Sequence, residues 1–276
     1  MKQEKKKITI AHTAELKRVF EFGGLNTVCQ SAKCPNIGEC YKNKTATFLI
    51  LGKYCTRGCS FCAIEKYKAE FVDAHEPSRI AKAVKKLGLS YCVITSVTRD
   101  DLPDGGARHF AKTINEIKTL LPENKVEVLV PDFLGNTKSI DIVLNACPDV
   151  FSHNLETVPA LYDKVRKGAD YKRSLKVLKY VKSAGFKVKT GIMVGLGETE
   201  LQIFETIEDI KSTNVDILTI GQYLAPTLKH YPVIEEYAEE EFKMLENFAV
   251  SVGIKQVISG RYVRSSYFAE ASFKKL

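Results

Sequence analysis

Short apolar runs rich in β-branched residues recur along the chain, separated by segments whose apolar residues return every three or four positions. The runs predict strands over 46–51, 90–97, 126–130, 149–153, 187–194 and 216–220. Between them, Ile80, Val84 and Leu87 share one helical face, as do Phe110, Ile114, Ile117 and Leu121, and Leu175, Leu178 and Val181. Gly185 is placed to stop the third of these helices, and Thr199 with Gln202 predicts a capping box opening the next. The acidic run 235–241 suits the first turn of a last helix reaching Val252, where carboxylates complement the helix dipole.

Strand and helix alternating six times predict a parallel sheet with crossover helices. Near-continuous apolar strands, such as 92–94 and 192–194, fit burial on both faces. Periodicity leaves two closures open, a doubly wound sheet or a barrel-like array. The unusual residues fall in segments 55–62, 96–106, 153–156, 195–198 and 222–227, each following a predicted strand. Loops from many strand ends converging on one site favour a barrel or partial barrel. Residues 1–45 carry a short helical pattern (Leu16, Val19, Phe20) and then a cysteine-rich loop, and residues 261–276 form a basic, serine-containing tail. Both read as extensions lying across a core of residues 46–260.

With 276 residues, 45% of them hydrophobic, the chain can bury a sizeable core, and its composition excludes disordered, collagenous and coiled-coil classes. It has no run long enough for a transmembrane helix, and its basic N-terminus lacks the apolar stretch of a signal peptide. A cytoplasmic protein with no membrane partner is expected. The net charge of +8 comes mostly from dispersed lysines, which read as a solvated surface. No basic cluster is interleaved with aromatics, so no nucleic-acid partner is expected.

Cysteine placement changes the picture. Six of the eight cysteines fall between Cys29 and Cys62. Thiols of a reducing compartment seldom form disulfide frameworks, so the cluster points to metal ligation. Cys92 and Cys147, in apolar contexts, read as small buried hydrophobes. Cys55, Cys59 and Cys62 are spaced C-x3-C-x2-C, with Gly58 expected to let the backbone turn. A structural zinc site normally wants four ligands. Three thiolates on a tight loop instead suit a cubane iron–sulfur cluster whose fourth iron stays open to a ligand. Cys29, Cys34 and Cys40, spaced C-x4-C-x5-C, form a second trio that matches no standard zinc pattern. A second cluster is the favoured reading, and a zinc-stabilised protein with a basic surface for nucleic acid is the alternative.

Other residues carry weaker signals. The Gly195–Glu198 turn could cradle phosphate at a helix N-terminus but lacks a full dinucleotide or P-loop pattern. Closer approach of a cofactor to the backbone is the better reading for it. Asn154 and Glu156 could hydrogen-bond ribose hydroxyls, and Arg166 could pair a carboxylate. None of the five histidines is expected to be catalytic.

The Cys55/Cys59/Cys62 spacing, with Phe61 before the last cysteine, resembles the signature of the radical S-adenosylmethionine superfamily. That resemblance implies a partial (β/α)6 TIM-like barrel and a [4Fe–4S] cluster whose open iron is chelated by S-adenosylmethionine. The two cysteine trios together are similar to the lipoyl synthase family. So are 96–106, 153–157, Arg166 to Tyr171 and Arg264-Ser265-Ser266-Tyr267, and the likeness runs nearly the whole chain. It implies that Cys29, Cys34 and Cys40, with Ser266 as fourth ligand, hold an auxiliary [4Fe–4S] cluster. Phe61, Ser96, Asn154, Glu156, Arg166 and Gly195 are the expected S-adenosylmethionine contacts, and no side chain is expected to act as catalytic acid or base.

The family's reaction inserts sulfur at C6 and C8 of an octanoyl chain amide-linked to a carrier-domain lysine. The carrier would be an H protein or the E2 subunit of a 2-oxoacid dehydrogenase, and the electron donor a ferredoxin or flavodoxin. A two-cluster enzyme of the biotin synthase kind, acting on a small molecule, is the nearer alternative. The basic surface is then expected to steer an acidic carrier domain.

Overall fold

In the computed structural model, residues 19–20, 23–31, 34, 36–42 and 46–275 are described, so Leu16 of the predicted N-terminal helix lies outside them. The chain enters through a two-residue strand β1 (Asn26–Thr27) and two short helices, α1 (Val28–Ser31) and α2 (Ile37–Lys42). There follow β2 (Thr47–Ile50), α3 (Glu76–Leu87), β3 (Tyr91–Ser96), α4 (Ala107–Leu120), β4 (Lys125–Leu129), α5 (Thr137–Asn145) and β5 (Val150–Ser152). Next come α6 (Tyr162–Val165), α7 (Tyr171–Ser183), β6 (Val188–Val194), α8 (Glu200–Ser212) and β7 (Ile217–Gln222). The fold ends with α9 (Glu239–Ser251), β8 (Gln256–Gly260) and α10 (Ala269–Phe273).

Among the described residues, eight strands make one sheet in sequential order from β1 to β8. β1 runs antiparallel to β2, and every pair from β2/β3 to β7/β8 is parallel. The first and last strands do not pair, so the barrel is open. All six predicted strands are present; the short β1 and β8 are additions. Every residue of β8 is only half-buried, as befits a strand at the sheet edge. Its polar Gln256 and Ser259 therefore hide the apolar run that marks its neighbours.

Helical stripes and strand alternation explain the main core. Ile80 and Val84 of α3, Phe110, Ile114 and Ile117 of α4, and Leu178 and Val181 of α7 are buried. They belong to one apolar cluster with Cys92 and Ile94 of β3, Val126 and Val128 of β4, and Leu218 and Ile220 of β7. The α8 capping box is formed: the Gln202 amide donates to Thr199 Oγ1 at 3.3 Å, and the Thr199 amide donates to Gln202 Oε1 at 2.9 Å. The acidic run is split instead of wholly helical. Only Glu239, Glu240 and Glu241 lie in the first turn of α9. Glu235 stays outside the helix because its carbonyl accepts from Gln222 Nε2 at 2.9 Å.

Residues of β3 one position out of phase face the other side of the sheet. Tyr91 and Val93 pack there against Ala269, with Phe273 alongside, in a small cluster of their own. Helix α10 is thus carried to the N-terminal ends of the strands, where the Ser90 hydroxyl donates to Glu270 Oε1 at 3.1 Å. Beside it a charged group is fully enclosed. Lys189 Nζ donates to Glu127 Oε1 at 3.1 Å, Tyr91 Oη to Glu127 Oε2 at 2.6 Å, and Ser152 Oγ to Glu127 Oε1 at 3.0 Å.

Cys92 is buried as expected, but Cys147 is exposed. It follows Ala146, the C-cap of α5, in a left-handed conformation (φ 54°) that turns its side chain away from the core. No helix among the described residues is long and apolar enough to cross a membrane.

Removing one partner of an enclosed ion pair leaves an uncompensated buried charge. Lys189→Met should therefore lower stability by about 3–5 kcal/mol, read as a fall in the urea midpoint of unfolding.

Candidate active site

The segment after β2 turns off the strand through Leu51 (φ 69°) and Gly52 (φ 96°) and carries Cys55, Cys59 and Cys62 above the strand ends. Backbone hydrogen bonds tie it down on several sides. The Cys55 amide donates to the Glu65 carbonyl at 3.0 Å, and the Thr56 amide to the Thr98 carbonyl, beyond β3, at 3.0 Å. The Ser60 amide donates to the Val165 carbonyl of α6 at 2.9 Å, and the Tyr231 amide, beyond β7, donates to the Ser60 carbonyl at 2.9 Å. Gly58 has no left-handed φ, so the turn does not depend on it as the sequence suggested.

Arg57, buried between Cys55 and Cys59, fixes the loop to the barrel. Its Nε and Nη2 donate to both oxygens of Asp100 at 2.7 and 2.9 Å, and Nη2 also donates to Asp132 Oδ1 at 2.7 Å. Arg173 Nε takes the other Asp132 oxygen at 2.8 Å. Asp132 is fully buried; against the cost of that burial, its two arginines hold its carboxyl well below the usual carboxylate range.

Burial pushes the Cys59 thiol up to about 11 and the Cys62 thiol up to about 12, and the nearby Glu156 carboxylate adds to both shifts. Such thiols keep their protons until a metal displaces them. Among the described residues, no group of three His, Cys, Asp or Glu side chains is placed to hold a single metal ion.

The β5 end supplies the facing wall. Asn154 is buried, and its Nδ2 donates to Glu156 Oε1 at 3.0 Å. Glu156 sits in a left-handed conformation (φ 68°), its amide donating to the Gly191 carbonyl at 3.0 Å and its carbonyl accepting from Met193 at 2.8 Å. Burial raises its carboxyl, partly offset by Arg166. Arg166 Nη1 donates to Tyr162 Oη at 2.8 Å and Ser174 Oγ at 3.0 Å, so the protein already engages one edge of that guanidinium. Phe61 is half-buried against the apolar core. Ser96, at the β3 end, has a buried Oγ with no partner among the described residues, as does Nε2 of the enclosed His153. Burial holds the His153 imidazole down to about 4, so it is neutral near pH 7.

The 195–198 turn is already filled by protein. The Gly195 and Leu196 amides donate to the Glu198 carboxylate at 2.6 and 2.9 Å, occupying the donors an incoming phosphate would need. Gly195 (φ 94°) is required because a Cβ there would collide with Gln222 Nε2 and the Glu235 carbonyl.

The N-terminal trio stands beside this wall. Cys29 lies in α1 and Cys40 in α2, and the Cys34 amide donates to the Cys29 carbonyl at 3.0 Å. Burial pushes the Cys29 thiol up to about 11. The C-terminal tail crosses directly over it. Asn36 Nδ2 donates to the Tyr262 carbonyl at 2.6 Å, and Tyr267 Oη donates to Glu39 Oε2 at 3.2 Å. The absence of a side chain at Gly221 lets the Val263 carbonyl rest on β7. Arg264 is half-buried near Cys34 and Glu156, and Ser265 Oγ donates to Asn154 Oδ1 at 3.1 Å. Ser266 is therefore held between a residue anchored on the Asn154 wall and one anchored on the cysteine-bearing α2.

Residues 49–210 match the Radical SAM superfamily. A lipoyl synthase of Caldicellulosiruptor saccharolyticus is 56% identical over 91% of this chain and 88% of its own length. One of Aquifex aeolicus is 51% identical over 92% and 93%. This chain belongs to the lipoyl synthase family. The family's radical SAM fold is shared with SuiB of Streptococcus suis, solved bound to S-adenosylmethionine, at a TM-score of 0.62 and 14% identity. That match covers 85% of this chain but only 55% of SuiB, so the chain spans just over half the length of that protein.

In a radical SAM enzyme the protein's task is to orient the cofactor and hold its site fixed. The residues that sequence reasoning missed all serve that end. Arg57, Asp100, Asp132 and Arg173 lock the cysteine loop, and Ser265 joins the tail to Asn154. Arg57 left a trace as a cation inside a thiol motif, Asp100 as part of 96–106 and Ser265 as part of Arg264-Ser265-Ser266-Tyr267, whereas Asp132 and Arg173 left none.

Asp132→Asn should cost about 3 kcal/mol near neutral pH by removing the buried carboxylate that Arg57 and Arg173 share. A carboxyl held down in the folded state stabilises above its unfolded value and loses that contribution as pH falls through the folded one. Urea titrations of wild type and variant should hence converge as the pH drops below about 4.

Proposed function

We propose that Cys55, Cys59 and Cys62 hold a [4Fe–4S] cluster that binds S-adenosylmethionine, and that Cys29, Cys34, Cys40 and Ser266 hold an auxiliary [4Fe–4S] cluster. The reaction would insert two sulfur atoms, at C6 and C8 of an octanoyl chain amide-linked to a carrier-domain lysine, in the reducing cytoplasm. The carrier is an H protein or an E2 subunit of a 2-oxoacid dehydrogenase, and electrons come from a ferredoxin or flavodoxin. The observation that supports this reading is the tail crossing, in which Ser265 bonds Asn154 while Tyr262 and Tyr267 bond Asn36 and Glu39 of the segment bearing Cys34 and Cys40.

When bound, the first cluster and S-adenosylmethionine supply a radical able to abstract unactivated hydrogen, and the auxiliary cluster supplies sulfide. The chain's own residues then have distinct tasks. The thiols lose their protons to hold iron. Asn154 and Glu156 meet the ribose hydroxyls, and the unpartnered Ser96 hydroxyl offers a further contact. Arg166, beside Cys59 and Glu156, places positive charge where a carboxylate can approach. Phe61 shields the loop from water. Ser266 offers an oxygen, a harder ligand than thiolate, which should release a reduced iron more readily.

The test supplies an octanoylated lysine peptide, S-adenosylmethionine and dithionite to the anaerobic protein. The product should gain two sulfurs by mass, and metal analysis should find about eight iron and eight sulfide per chain. Product without sulfur would defeat the reading. Ser266→Cys should keep its iron yet fail to complete the second insertion.

A further inference from the structure

We propose that Ser265 is a positioning residue for S-adenosylmethionine, its hydroxyl fixing the Asn154 amide that faces the cofactor. This rests on the reading of Asn154 and Glu156 as cofactor contacts. The C-terminal tail then completes the cofactor site in addition to offering Ser266 to the N-terminal thiols.

The orientation of the amide follows from its two neighbours. A carboxylate only accepts, so the Asn154 edge at 3.0 Å from Glu156 Oε1 is the NH2 edge. Oδ1 is thereby left toward the tail, where it accepts from Ser265 Oγ at 3.1 Å. Alternative rotamers are restricted from below: a Cβ at Gly191 would stand 3.2 Å from Asn154 Oδ1, so the amide lies close over the bare β6 backbone. Glu156 cannot retreat, because its own amide and carbonyl are both bonded to β6. From the tail, Ser265 gives this wall a hydrogen bond and Arg264 a nearby positive charge.

Ser265 is itself placed by the N-terminal loop. Tyr262 is held by Asn36, Tyr267 by Glu39, and Val263 by the clearance at Gly221. A tail displaced from the thiol loop withdraws the Ser265 hydroxyl from Asn154, and so the two sites influence one another. Such coupling is reciprocal in binding free energy.

The experiment measures S-adenosylmethionine affinity by anaerobic equilibrium dialysis of the fully loaded protein, with iron and sulfide quantified on the same samples. Ser265→Ala should raise the Kd about three- to tenfold, the worth of one hydrogen bond, with metal content unchanged. Ser265→Thr, which keeps the hydroxyl, should restore the affinity. An unchanged Kd in Ser265→Ala at full metal content would overturn the proposal, as would a Thr variant as weak as the Ala variant. Wild-type protein that binds no S-adenosylmethionine would instead defeat the cofactor reading on which the proposal rests.

Discussion

The ion network from Arg57 to Asp132 is the constraint on which the site depends. A buried guanidinium and a buried carboxylate each cost several kcal/mol to desolvate, and that cost is offset only by well-aligned partners. Here Asp132 accepts from both Arg57 and Arg173, and Arg57 also grips Asp100. The cysteine loop is consequently fixed to the strand ends by protein contacts alone. The backbone that carries Cys55, Cys59 and Cys62 is thus held at the strand ends by protein contacts.

The same site carries burial of a second kind. Cys29, Cys59 and Cys62 are thiols raised by removal from water, and Glu156 is a carboxyl raised for the same reason. Opposing them, Arg166 lies near Cys59 and Arg264 near Cys34. Partly buried thiols and fixed cations are thereby set close together at the strand ends.

The tail gives the architecture its unity. An open sheet leaves the face of Tyr91 and Val93 needing a cover, which α10 provides. Reaching that place obliges residues 262–267 to pass the strand ends at Gly221 and the α2 cysteine loop. A packing requirement at the N-terminal ends of the strands thus routes two serines past the chemistry at the C-terminal ends.

Much of this was legible along the chain. Apolar periodicity announced six strands and their helices, because core burial imposes a local repeat of two or of 3.6 residues. The two thiol trios were visible because their spacing is local. Strand β8 was not, since an edge strand keeps polar residues that blur the pattern, and Cys147 misled because a helix-end conformation overrode its apolar neighbours. What no local pattern could show was who meets whom at long range: Arg57 and Asp132 lie 75 residues apart, Ser265 and Asn154 111, and Asn36 and Tyr262 226. Those meetings are decided by the order of strands in the sheet and by the return of the tail. Residue spacing determined which chemistry the chain can carry, and tertiary structure decided how its parts are held together, because hydrogen bonds and ion pairs act over a few ångströms of space whatever their separation in sequence.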